Sequence, residues 1–183
     1  MNSSLKSVAA VVITGLAITL SSTAHAATAR DFMRGGEFCF RVGTVIPGGW
    51  STRIKLVVSP AKGNLHHKIA HVDALERGSQ ATFPPNAYVM PLSGSATIAP
   101  PNEEPSGEKF LQISLTGADY GHDGNPEIRG LWSGHQALIL NLDDLIGHIK
   151  GVKSFSVINN NQLGNTSQTA VDETIEPMLC SEF

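Results

Sequence analysis

Apolar and polar residues alternate in short runs along most of this chain, the period-two signature of strands with one buried and one wet face. In "STRIKLVVS" Thr52, Ile54, Leu56 and Val58 share one face, and Arg53 and Lys55 take the other. "EKFLQISLTG" repeats the pattern, with Leu111, Ile113 and Leu115 set against Gln112 and Ser114. Comparable runs occur at "EFCFRVG", "HKIAHVDALERG", "YVMPLSGSATIA", "EIRGLWSGHQALILNL", "VKSFSVINN" and "VDETIEPMLC", which predicts about eight strands. Clusters rich in Gly, Pro, Asn and Asp separate them at fairly even spacing, as in "IPGGW", "TFPPNAY" and "GADYGHDGNPE".

One stretch breaks the period. In "NLDDLIGHIKG" Leu142, Leu145, Ile146 and Ile149 share a helical face, Asn141 is placed to cap its start and Gly151 to end it. This predicts one short helix near 141–150, with a strand, a tight turn and a second strand as the alternative for the same residues. The fold class is therefore all-β. An eight-stranded antiparallel up-and-down barrel and a two-sheet sandwich both accommodate the strands, and the cysteines favour the barrel. Cys39 falls in the first strand and Cys180 in the last, so a bridge between them would rivet the closing seam of a meander barrel.

The residues before the first strand set the compartment. Lys6 supplies a positive start, Val8 to Leu20 an apolar run of 13 residues, and Ala24, His25 and Ala26 a small-x-small cleavage site. Residues 1–26 read as a signal peptide and 27–183 as a single secreted or periplasmic domain, where a disulfide persists. The apolar run falls short of the roughly 20 residues that a membrane-crossing helix needs, and no later segment reaches it. Cleavage removes only Lys6 among the Lys, Arg, Asp and Glu residues of a chain whose formal net charge is −3. No basic run remains, which argues against a nucleic-acid partner.

Candidate chemistry centres on "NLHHKIAHVDAL". On a strand, His67, His71 and Asp73 share a face; His71 and Asp73 stand about 7 Å apart along it, and His67 about 13 Å from His71. One ion could engage His71 and Asp73 but not all three, so no metal site is expected unless another element brings His135 or Glu37 to the same point. Ligand lining is the alternative role for His67, His71 and Asp73, joined by Tyr120 and Trp132 as amphipathic groups. There is no Gly-x-Ser-x-Gly elbow, P-loop or Gly-x-Gly-x-x-Gly after a strand. No catalytic residue or cofactor is assigned, and a non-enzymatic protein is the first reading; a hydrolase or isomerase with His67, His71, Asp73 or His135 as general base is the alternative class.

An exported chain of this size with an eight-strand meander resembles the lipocalin-like group of calycin barrels. "GGW" at Gly48 to Trp50 has the letters of that family's Gly-x-Trp motif, although here a strand precedes it, and "ADY" at Ala118 to Tyr120 partly matches Thr-Asp-Tyr. The resemblance implies a structural or ligand-binding barrel and carries over no catalytic residues. The expected function is a carrier of a small apolar or amphipathic molecule, with an envelope interaction protein as a further alternative. The aliphatic faces at Ile54–Val58, Leu111–Leu115 and Leu138–Leu140 are expected to meet in one apolar interior.

Overall fold

The computed structural model describes residues 27–43, 50–63, 68–80, 88–98, 110–122, 129–160 and 162–183. Eight strands run in chain order around a closed antiparallel barrel: β1 Gly36–Val42, β2 Trp50–Val58, β3 Ile69–Gln80, β4 Tyr88–Ile98, β5 Phe110–His122, β6 Arg129–Asn141, β7 Gly147–Asn159 and β8 Gln162–Met178. Each strand pairs with its neighbour in sequence, and β1 returns to pair with β8. The barrel, not the sandwich, is the architecture, and it is consistent with the lipocalin-like pattern in the sequence. Residues 1–26 lie outside the described residues.

The alternation decides which face turns inward. Ile54, Leu56 and Val58 of β2, Leu111, Ile113 and Leu115 of β5, and Leu138 and Leu140 of β6 are all buried in one cluster, as their phase predicts. Register carries the phase around the ring: Val58 faces Val72, Ala96 faces Ile113, and Ile113 faces Leu138. Ile139, out of phase with its neighbours, is exposed.

The short helix lies elsewhere than the sequence pattern predicts. Residues 141–150 take the alternative of strand, tight turn and second strand: β6 ends at Asn141, β7 begins at Gly147, and Leu145 in the turn adopts a positive φ of 59°. Asn141, placed by the sequence to cap a helix, instead holds the turn together with Asp144. Asn141 Oδ1 accepts from Asp143 N at 2.8 Å, and Asp144 Oδ1 accepts from Ile146 N at 3.0 Å. The helix, α1, spans Ala29–Arg34 and opens on a capping box in which Thr28 Oγ1 accepts from Asp31 N.

α1 closes one end of the barrel. Ala29, Phe32 and Met33, spaced as one helical face, are buried, and Phe32 meets Phe38 with ring centroids 4.7 Å apart. Ala29 N donates to Leu142 O and Ala61 N to Met33 O, tying the helix to two barrel connections. Gly35 lets the chain pass from helix to strand: its φ is 92°, and a Cβ there would sit 2.8 Å from Val58 O.

The seam between β1 and β8 is the shortest ladder, with Cys39–Val42 opposite Ile175–Met178. Cys39 and Cys180 are disulfide-bonded across it, 141 residues apart in sequence. Beyond the bridge, the 3-10 turn Cys180–Glu182 brings the chain end over the outer face of β2 and β3. There Arg53 Nη1 donates to Glu182 O at 2.5 Å, Arg77 Nη1 donates to Phe183 O at 3.1 Å, and Arg77 stacks on the Phe183 ring. Arg41, Arg53 and Arg77 are cross-strand neighbours on that face, so these carbonyl oxygens offset part of their mutual repulsion.

Candidate functional site

The interior is not uniformly apolar, which corrects the expectation from the aliphatic faces. Following the inward phase from α1 toward the opposite end, β3 reads Ala70, Val72, Ala74 and then Glu76, while β6 reads Leu140, Leu138 and then Gln136. β7 places Lys153 on the same inner wall, opposite Gly134 of β6, and β2 adds the buried Thr52. Glu76 and Gln136 are both 0% exposed, and the Lys153 side chain is 11% exposed.

These side chains form one network. The Glu76 carboxylate pairs with Lys153 Nζ through Oε1 and accepts from Gln136 Nε2 through Oε2 at 2.5 Å. Because that donation fixes which way the Gln136 amide points, its buried Oε1 is the other end of the amide and has no hydrogen-bond partner among the described residues. A buried ion pair needs close geometry and further hydrogen bonds to offset its desolvation, and Gln136 supplies one of them. The orphaned carbonyl is the unusual feature, because a buried acceptor without a partner costs about 1–3 kcal/mol.

Around the network the wall is soft and aromatic. Met90, fully buried, is the cross-strand neighbour of Glu76. Its methyl occupies the space a side chain at position 134 would need, since a Cβ on Gly134 would fall 2.9 Å from it. One step further from α1, Trp132 and Phe155 are cross-strand neighbours with ring centroids 4.8 Å apart.

The sequence-predicted site residues separate. Trp132 is on the inner wall. His71 and Asp73 lie on the outer face of β3, both exposed, with His71 Nε2 and Asp73 Oδ1 3.1 Å apart. Tyr120 is exposed on the outer face of β5, and His67 lies outside the described residues. His135 is exposed on β6, and Glu37 on β1 pairs with Lys55 at 2.8 Å, so neither joins His71 and Asp73. Among the described residues no three His, Cys, Asp or Glu side chains come close enough to hold a metal ion.

The residues missed were Glu76, Gln136 and Lys153. Their signal was available: each is in phase with the inward aliphatic positions of its own strand, so a polar letter at that phase marks a buried polar group.

No family model matches the chain, and no curated protein or solved structure matches it. Among the described residues no helix is long and apolar enough to cross a membrane. The disulfide fits an extracellular or periplasmic protein.

Proposed function

We propose that this is an exported, non-enzymatic barrel that binds a small amphipathic molecule in the half of its interior away from α1. The ligand's apolar body packs against Trp132, Phe155 and Met90, and its polar head donates a hydrogen bond to Gln136 beside the Glu76–Lys153 pair. The observation that carries the reading is the Gln136 Oε1 atom, an oriented and fully buried acceptor without a partner among the described residues. A hydroxyl, amide or amine N–H supplies what it lacks. The stretch 1–26 then acts as the export signal, cleaved after Ala26, and the Cys39–Cys180 bridge suits the compartment reached.

The test uses N-phenylnaphthylamine, a neutral apolar fluorophore with a single N–H donor. Saturable enhancement of its emission is expected, competed by long-chain alcohols and weakened about tenfold in Gln136→Leu, the equivalent of one lost hydrogen bond. Absence of saturable binding, or an affinity unchanged in Gln136→Leu, would overturn the reading.

A further inference from the structure

A cavity lies outside the barrel, where α1 meets the rim. It encloses about 720 Å³, a volume in the range of small-molecule sites. Met33, Ala61, Ile98 and Leu142 give it apolar surface, and Arg30, Arg34 and Lys68 stand around it, with Asp143 as the one acidic lining residue. Arg34 shares its charge with Asp31 at 3.4 Å. Arg30 and Lys68 have no ion-pair partner among the described residues. Three cations thus gather at one apolar groove in a chain whose net charge is negative.

We infer that this groove binds a single anionic amphiphile, a medium-chain carboxylate whose head pairs with Arg30 and Lys68 and whose tail lies on Met33, Ile98 and Leu142. Charge complementarity selects the head group. A neutral alcohol of the same chain length gains nothing from the cations, and a quaternary ammonium is repelled by them. Apolar contact alone would treat all three alike. The free molecule, not a bilayer, is the occupant, because the cations border a concave, partly open cavity with room for one chain rather than a flat face.

The test titrates decanoate, decanol and decyltrimethylammonium, each below its micelle concentration, into the full exported chain while backbone amide shifts are followed. Decanoate is expected to shift the amides of Ala29–Arg34, Ala61, Ile98 and Leu142 saturably, with an affinity at least tenfold above that of the other two at these positions. Arg30→Glu with Lys68→Glu, both surface changes, is expected to abolish that preference while leaving the far-ultraviolet spectrum unchanged. Occupancy of the interior is read separately at Gln136 and Lys153, so failure of one site is distinguishable from failure of the other. Equal affinity for the three probes at the α1 amides would overturn the inference. So would retention of the decanoate preference in the double variant, or binding to anionic phospholipid vesicles without binding of monomeric decanoate.

Discussion

The two halves of the barrel interior are built from the same strands in the same register, yet they solve different problems. Next to α1, Leu56, Val72, Ala96, Ile113, Leu138 and Ile149 form an aliphatic layer with almost no exposure, closed by Phe32 and Leu145. A few residues along the same strands, Thr52, Glu76, Gln136 and Lys153 replace them. The first half carries the hydrophobic stabilisation of the fold. The second buries an ion pair and an unpaired carbonyl, an arrangement that apolar residues of similar volume would match or better for stability. It is on this half that the proposed binding rests.

Single truncations do not separate the halves, but replacement of the whole network does. Leu138→Ala in the aliphatic half is expected to cost about 2–5 kcal/mol through lost burial and a residual cavity. Glu76→Ala is expected to cost about 3–5 kcal/mol, because it removes the buried carboxylate that pairs with Lys153 and accepts from Gln136. The double change Glu76→Leu with Lys153→Met removes both charges and leaves only Gln136 Nε2 without its acceptor, so it is expected to be clearly more stable than Glu76→Ala, while probe binding falls. Urea denaturation of the three variants checks this. A double variant as unstable as Glu76→Ala would show that the network is part of the structural core.

The same contrast explains what could be read from the sequence. Period-two alternation carries the aliphatic half openly, since Ile54, Leu56 and Val58 need only be in phase to be placed inside. Lys153 sits in "VKSFSVINN", where the alternation is weak and Ser154 and Ser156 blur the phase. Glu76 follows Leu75 and precedes Arg77, so local composition reads as a wet strand end even though its phase is that of Val72 and Ala74. α1 escaped for another reason: six residues give too few turns for a helical period to stand out, and its apolar face follows directly on an apolar leader. The predicted helix at 141–150 had a convincing face because Leu142 and Leu145 do point to the core, but from a turn.

The seam is the next place to probe, since the pairing of Cys39–Val42 with Ile175–Met178 is short beside the β5–β6 ladder that runs from Phe110 to His122. Cys39→Ser with Cys180→Ser is expected to cost up to about 5 kcal/mol on chain entropy alone, and about 2–4 kcal/mol on typical measurement. Denaturation of the wild type with and without reductant should reproduce the difference. A loss below about 1 kcal/mol would show that pairing alone closes the barrel.

A smaller effect is expected where the chain end crosses the arginine row. Arg77→Ala removes a donor to Phe183 O and the stacking on the Phe183 ring, but also relieves repulsion with Arg53. The net cost is expected to be about 1 kcal/mol, and Phe183→Ala should give a similar value. Because the ring stacking is common to both, while Phe183→Ala keeps the carbonyl that Arg77 bonds, the double variant should cost little more than Arg77→Ala alone. Additive losses in the thermodynamic cycle would mean that the two residues act through separate contacts.

The smallest expected effect lies at the cap of α1 and distinguishes the plug from the aliphatic layer it covers. Thr28 Oγ1 donates to Asp31 Oδ2 at 2.7 Å, and this hydroxyl, followed by the Thr28 backbone N–H, holds the Asp31 carboxyl below its ordinary pKa. A carboxyl with a lowered folded-state pKa adds stability that is fully present above the ordinary value of 3.8 and disappears as the pH falls from there through the lowered one. Acidification should therefore loosen α1 before it affects the layer below, which contains no carboxylate. Thr28→Ala is expected to cost about 1 kcal/mol at neutral pH and to return the Asp31 titration toward 3.8. Carboxyl-detected NMR titration follows Asp31 directly, and amide exchange at Phe32 and Met33 reports the plug. If exchange at Leu138 and Ile113 rises together with that at Phe32 as the pH is lowered, plug and layer unfold as one unit and the separation between them fails.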